Sequence, residues 1–171
     1  MGAMLQRFFL MWPYTDAHEL APEELPAFER KGYKSVWYCD GRLERAELVG
    51  NGEVLKVDYH DRTQLGPALL EQHHARYGQV PFWLIGPKAL VDGLLMQESQ
   101  RYDEAGLLRE FVQEWSSPDG NRELKTLWFS PKREFNRSWE IEYDEGRRAV
   151  RRIERDFDGA IIHVTELDEY D

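Results

Sequence analysis

A chain of 171 residues with 32 acidic and 22 basic side chains has the length of one domain and a net charge of −10. A negative field of that size repels phosphate backbones and argues against nucleic acid as a partner, while the aromatic and aliphatic content is large enough to build a core. The single cysteine, Cys39, excludes an intrachain disulfide and a zinc site made of several thiolates.

The N-terminal apolar stretch, Leu5 to Trp12, is too short for a signal peptide or a membrane span, and Arg7 interrupts it. Residues 1–4 contain two possible start sites and have the form of a cloning remnant, so they carry no fold argument. We therefore expect a single cytoplasmic domain over residues 1–171.

The first strand signal is a three-stranded β-meander between Lys34 and Tyr59. Asp40-Gly41 and Asn51-Gly52 separate three β-prone runs, and such dipeptides favour type I′ hairpin turns because both central residues need a positive φ. In the third run, residues 54–59, apolar and charged side chains alternate. The predicted sheet therefore has one buried face, which another element must cover.

Helical signals begin after this meander. Pro67 at a first-turn position, an apolar face and Gly78 as an end signal predict a helix over residues 67–77. A short apolar run at residues 80–85, closed by Gly-Pro, predicts a buried or edge strand. The segment from Pro22 to Arg30 indicates a shorter helix, which a proline inside it weakens.

Two further amphipathic helices are predicted between Lys88 and Trp115. The apolar residues that share a helical face are Leu90, Val91, Leu94 and Leu95 in the first, and Leu107, Leu108, Phe111, Val112 and Trp115 in the second. A period of this kind is typical of helices packed on a core. The turn-forming run from Ser116 to Gly120 ends the second helix.

The last third of the chain returns to strands. Four runs separated by turn-forming pairs predict a second meander, at residues 124–129, 136–143, 148–157 and 160–167. Residues 148–157 also satisfy helical spacing, so this element is strand or helix. The Glu-Gly and Asp-Gly pairs on either side favour the strand.

A short internal similarity links the two meanders, since residues 34–38 and 125–129 match in residue class at every position. A duplicated β-meander explains the match, and so does chance in a chain rich in tryptophan. Together the elements predict an α+β fold, with antiparallel β-meanders at both ends of the chain and two to four helices between and against them.

The sequence contains no local motif for catalysis, metal binding or phosphate binding. Its five histidines, His18, His60, His73, His74 and His163, form no zinc-binding pattern, and neither a nucleophile elbow nor a glycine-rich phosphate loop occurs. His73, on the apolar helix face, is interpreted as a hydrogen-bonded core residue. We therefore expect no cofactor and no metal. An enzyme whose histidines and paired acids meet only in the fold stays open as an alternative.

Acidic residues near the C-terminus are the candidate partner-binding surface. They share one side of a predicted strand or surround a tyrosine at the chain end, and such groups steer and anchor a basic protein. The candidate set is Glu140, Glu142, Glu166, Asp168, Glu169 and Tyr170. A cross-strand charge ladder with the arginines of residues 147–155 is the structural alternative for the strand acids, and a solvated chain end is the alternative for the rest.

Two turn segments, Tyr143-Asp144-Glu145-Gly146 and Asp156-Phe157-Asp158-Gly159, occur in this acidic, aromatic-rich background. In general character the chain resembles the small acidic immunity proteins that bacteria pair with secreted toxins. The resemblance implies a non-catalytic cytoplasmic protein that neutralises a toxin or enzyme by covering its functional surface, without membrane or nucleic acid as partner. It implies no residue roles. A small hydrolase or transferase, and a secretion adaptor or chaperone with an apolar groove, are the alternatives.

Overall fold

The computed structural model describes residues 3–10 and 18–167, and within them the chain forms thirteen strands and two short helices. The strands are β1 (Met4–Phe9), β2 (Glu19–Leu20), β3 (Tyr33–Cys39), β4 (Arg42–Gly50), β5 (Glu53–His60), β6 (Phe82–Ile85), β7 (Ala89–Val91), β8 (Leu94–Tyr102), β9 (Leu108–Ser116), β10 (Glu123–Phe129), β11 (Phe135–Tyr143), β12 (Ala149–Arg155) and β13 (Ile161–Glu166). The helices are α1 (Leu25–Phe28), which follows a 3-10 turn at Pro22–Glu24, and α2 (Pro67–Tyr77). Within the described residues, neither helix is long and apolar enough to cross a membrane.

The strands form one mixed sheet in the order β13-β12-β11-β10-β9-β8-β6-β5-β4-β3-β1-β2, and β7 pairs with β8 beside this path. Strands β5 and β6 pair in parallel, with α2 in the connection between them, as a parallel pair requires a long crossover. The chain is therefore nearly all-β. The predicted α+β fold, with two to four helices between the meanders, is wrong.

The error lies in residues 88–115, where the two predicted amphipathic helices are instead strands β7, β8 and β9. Asp92 and Gly93 join β7 to β8 with φ values of 49° and 81°. This is the paired positive φ that an Asp-Gly hairpin turn requires and that a right-handed helix excludes. The apolar spacing fits a helix, but the turn chemistry at Asp92-Gly93 decides the structure.

The predictions that rest on turn chemistry and helix ends are confirmed. Asp40-Gly41 and Asn51-Gly52 connect β3, β4 and β5, and all four residues have positive φ. The helix predicted over residues 67–77 is α2, which begins at Pro67 and ends before Gly78 with φ 69°. The ambiguous segment, residues 148–157, contains strand β12.

The residues divide by their contacts into two compact units. Unit 1 comprises residues 1–86 and 101–107, and unit 2 comprises residues 87–100 and 108–171. In unit 1, α2 packs on one face of the strands, because His73 on the helix is fully buried against Phe82 of β6 at a ring-centroid distance of 4.4 Å. The expectation of one domain over the whole chain stays a prediction.

Several aromatic rings of unit 2 lie under its own basic side chains. In its described residues, 87–100 and 108–167, no helix occurs, and β9 to β13 follow one another as antiparallel neighbours. Lys125 lies 4.8 Å from the centroid of the Trp115 ring, and Arg152 lies 4.7 Å from that of Trp139. Aliphatic stems with charged ends shield rings from water without a second layer of structure. Trp128, which is buried, is covered in this way by Arg137 at 4.7 Å from its ring centroid.

Candidate functional site

The acidic candidates that the structure describes lie in a cross-strand charge ladder in unit 2. Arg151 on β12 lies 3.5 Å from Glu142 on β11 and 3.3 Å from Glu166 on β13. Arg155 lies 3.8 Å from Glu140. This is the arrangement that the sequence left open as the structural alternative. The remaining candidates, Asp168, Glu169 and Tyr170, lie outside the described residues.

The ladder leaves negative charge exposed. Three carboxylates face two guanidinium groups, and Glu142 and Glu166 compete for Arg151. All three carboxylates are well exposed, so water and salt screen these pairs strongly and each stabilises the fold by no more than about 1 kcal/mol. The acids are therefore free to interact with a positively charged molecule at small cost.

Strand β13 forms one end of the sheet order, and no described strand pairs with its outer side. Three of its apolar side chains are exposed, with fractions of 55% for Ile161, 56% for Ile162 and 42% for Val164. The edge strand at the other end of the order, β2, has two residues. A six-residue edge with apolar side chains is the kind that accepts another strand, unless charge, proline or a covering element protects it.

The backbone pattern identifies which groups of β13 point outward. The Leu167 amide donates to the Val150 carbonyl at 2.9 Å, so this pair is a hydrogen-bonded one. Hydrogen-bonded and non-bonded pairs alternate along antiparallel strands, which places the amide and carbonyl of Val164 and Glu166 on the outer edge. These two residues offer the main-chain groups that a partner strand would use.

A second feature is a pocket of unit 1, between α2 and a row of side chains on the sheet. Trp37, Arg45 and Tyr59 are direct cross-strand partners on β3, β4 and β5, so they share one face. The open pocket above this row has a volume of about 420 Å³, and its walls include Arg45, Tyr59, Leu69, Gln72, Arg76 and Tyr77.

Next to this pocket, a buried carboxylate is held by three groups. Glu47 accepts a hydrogen bond from the Tyr77 hydroxyl at 2.5 Å and one from the Arg45 Nε at 3.1 Å. An Arg76 nitrogen lies 3.8 Å from the same carboxylate. Burial and the bond to Glu47 raise the pKa of Tyr77 above its ordinary value, so this hydroxyl stays protonated and remains a donor. The network ties α2 to β4.

His73 joins α2 to the sheet as a neutral residue. Its Nε2 lies 2.8 Å from the Val80 carbonyl, which can only accept, so Nε2 carries the proton. Its Nδ1 then accepts from the Tyr59 hydroxyl at 3.0 Å. Burial raises the pKa of Tyr59 to about 12, which keeps that donor in place. The interpretation of His73 as a hydrogen-bonded core residue is confirmed.

The buried histidines make stability depend on pH. Burial lowers the pKa of His73 and of His60, so the unfolded chain takes up protons on these residues at a higher pH than the folded chain does. Stability should therefore fall as the pH decreases from 7 to 5, by at most about 1.4 kcal/mol per pH unit for each histidine. Urea unfolding at pH 7, 6 and 5 measures the slope. We expect His73→Gln to reduce it; equal slopes in the two proteins would contradict the assignment.

Both ring nitrogens of His73 are already hydrogen-bonded, so His73 offers no nitrogen to act as a base or nucleophile. His60 lies on β5 of unit 1, and the exposed His163 lies on β13 of unit 2, opposite Glu154. In residues 3–10 and 18–167, no group of three or more His, Cys, Asp or Glu side chains is placed to hold a metal ion.

The Arg45–Glu47 network is not among the features predicted from the sequence. Arg45 and Glu47 are two residues apart on β4, so their side chains point to the same face of the strand. Their opposite charges are a signal for an ion pair on that face. What the sequence could not supply is that this face is the one that α2 covers.

No family model, curated protein or solved structure gives a significant match to this chain.

Proposed function

We propose that this chain is a non-catalytic protein-binding module that inhibits its partner by covering a functional surface, and that it holds an extended basic segment of the partner along β13. The observation that carries the proposal is the open outer edge of β13, with exposed Ile161, Ile162 and Val164. Strand addition at such an edge obtains affinity from main-chain hydrogen bonds and specificity from alternate side chains.

The charge of the surface favours a basic partner over a second copy of the chain. The net charge is −10, and the ladder beside β13 has more carboxylates than guanidinium groups. Pairing two β13 strands would bring Glu166 and the acids of the 156–159 turn of both copies to one interface, and like charges repel there. Lysine or arginine side chains on an added strand would instead lie beside Glu166 of the edge strand, and Glu142, two strands further in, adds to the negative field there.

The inhibitor role follows from this mode of binding and agrees with the resemblance to immunity proteins. A module that adds a partner segment to its own sheet withdraws that segment from the partner's substrate or target. We propose the same cytoplasmic setting for this chain, with Glu140, Glu142, Glu166, Asp168, Glu169 and Tyr170 as the surface that steers the basic partner.

Strand addition is tested with synthetic peptides, because an alternating lysine–valine nonapeptide carries the proposed chemistry. The nitrogen-15 NMR spectrum of the full chain is recorded during titration with this peptide, with a glutamate–valine nonapeptide, and with a peptide of the same lysine and valine content in two blocks. We expect saturable shifts and slowed hydrogen exchange at Val164 and Glu166 with the alternating basic peptide alone. Equal responses to the alternating and block peptides would contradict strand addition.

Two variants at one position separate backbone from side-chain effects. Val164→Pro removes the outward amide and leaves the ladder to β12 intact, so we expect peptide affinity to fall by about tenfold while the circular dichroism spectrum is retained. Val164→Thr keeps the amide and is the matched control. Unchanged binding by the proline variant would rule out β13 as the site, and self-association by sedimentation in place of peptide binding would identify a second copy as the occupant.

The inhibitor role needs its own measurement. A photoreactive amino acid at position 164, with position 55 on β5 as the control site, would crosslink the chain to its partner in cells. The partner's activity is then assayed with increasing amounts of the chain. We expect a stoichiometric loss of activity that the Val164→Pro variant fails to produce, and full activity at a saturating amount of the chain would overturn the inhibitor role.

A further inference from the structure

The pocket between α2 and the Trp37–Arg45–Tyr59 row is positively charged in an acidic protein. Both charged side chains that line it, Arg45 and Arg76, are arginines, and no carboxylate of the described residues is among its lining groups. The two guanidinium groups lie over the same ring, with the Arg45 Cζ 4.5 Å and the Arg76 Cζ 5.3 Å from the centroid of Trp37. Both guanidinium groups therefore lie against the Trp37 ring, and both arginines line the same pocket.

Two buried donors at this place have no acceptor among the described residues. Arg45 is 6% exposed; its Nε binds Glu47 and its Nη1 lies 3.5 Å from Glu44, but its Nη2 is without a hydrogen-bond partner. Trp37 is the cross-strand partner of Arg45, and its indole nitrogen is also buried without a hydrogen-bond partner among these residues. A buried donor that has lost water without gaining an acceptor is stabilised by any ligand that supplies one.

The arginines at the pocket favour an anionic group on the ligand. Arg45 and Arg76 share one buried carboxylate, Glu47, and among the described residues the pocket lining itself contains no acid. Glu44 lies 3.5 Å from Arg45, but Glu44 is more than a third exposed and Arg76 is half exposed, so water screens both of these outer charges. A carboxylate matches the planar guanidinium fork.

The remaining walls select the rest of the ligand. Leu69, Ala75 and the ring of Tyr59 give the pocket an apolar side, and its volume of about 420 Å³ suits a small molecule. We infer that this pocket binds a small organic carboxylate, with Arg76 and Arg45 holding the carboxylate and Leu69 and Ala75 contacting the apolar body. The pocket uses no residue of β13, so this site and the proposed strand addition can fail independently.

Benzoate and benzamide test the inference because they differ in charge and share their shape. The full chain is titrated with each compound while the indole resonance of Trp37 and the α2 amides are followed by NMR, with inorganic phosphate as a third probe. We expect saturable shifts with benzoate and binding weaker by about tenfold with benzamide, since a charge-assisted contact is lost. Benzamide binding as tight as benzoate binding would overturn the carboxylate assignment. Phosphate binding as tight as benzoate binding would show an adventitious ion only.

A pair of arginine variants provides the matched control. Arg76→Gln removes the half-exposed guanidinium of the pocket. Arg122→Gln removes a guanidinium in unit 2, which lies 5.6 Å from the Tyr143 ring centroid. We expect the dissociation constant for benzoate to rise by about tenfold in Arg76→Gln and to stay unchanged in Arg122→Gln. An unchanged constant in Arg76→Gln, with the Trp37 resonance in its wild-type position, would overturn the site.

Discussion

Replacement of Phe82 by alanine is expected to lower the free energy of unfolding by about 3–5 kcal/mol. Phe82 is fully buried on β6, and its ring centroid lies 4.4 Å from that of His73 on α2 and 5.0 Å from the nearly parallel ring of Tyr102. Removing the ring leaves a cavity at the point where α2 meets the sheet. Urea unfolding followed by tryptophan fluorescence and circular dichroism measures the loss.

The control for this variant is Phe157→Ala, because Phe157 is 72% exposed and the chemical change is the same. We expect its effect to stay within about 0.5 kcal/mol. Because folded domains are stable by only about 5–15 kcal/mol, the Phe82 variant should show a much lower midpoint, or no folded baseline at 37 °C. Similar midpoints for the two alanine variants would contradict the position of Phe82 in the core.

Replacement of Glu47 by leucine should cost a similar amount, about 3–5 kcal/mol, for an electrostatic reason. Glu47 is buried and accepts hydrogen bonds from Arg45 and Tyr77. Its removal leaves the buried positive charge of Arg45 without its carboxylate partner and the Tyr77 hydroxyl without its acceptor. The loss is measured by urea unfolding at pH 7.

A double variant distinguishes an unpaired buried charge from lost packing as the cause of the stability loss. In Arg45→Met/Glu47→Leu both charges are gone, and replacing a buried ion pair by apolar side chains is often nearly neutral. We expect the double variant to recover most of the stability that Glu47→Leu loses. Glu142→Leu, which removes an exposed carboxylate beside Arg151, should cost less than about 1 kcal/mol. Additive losses in the double variant would show that packing, and not charge, is responsible.

Local signals predicted much of the fold correctly, and the failure has a local cause as well. The turns at Asp40-Gly41 and Asn51-Gly52 and the ends of α2 at Pro67 and Gly78 were read from residues that need particular φ values. The same reading at Asp92-Gly93 would have predicted a hairpin there. The apolar spacing of residues 90–95 favours a helix, but a short apolar run fits the period of a strand as well.

Local sequence also predicted one part of the candidate partner surface and not the other. The alternation of Glu140 and Glu142 with apolar residues was enough to put both acids on one strand face, and the arginines that follow were enough to anticipate the charge ladder. The openness of β13 could not be read from its residues, because whether a strand is central or at an edge depends on which strands pair with it. Its exposed isoleucines fit a buried strand equally well.

The acidic charge, the hairpin turns, α2 and the alternating faces of the strands follow from local sequence, because each depends on residues close together in the chain. The row of Trp37, Arg45 and Tyr59 under α2 and the position of β13 at the sheet edge are properties of the folded chain. Both depend on register and strand order, which come from pairing between distant segments, and a shift of one residue would turn every side chain to the other face.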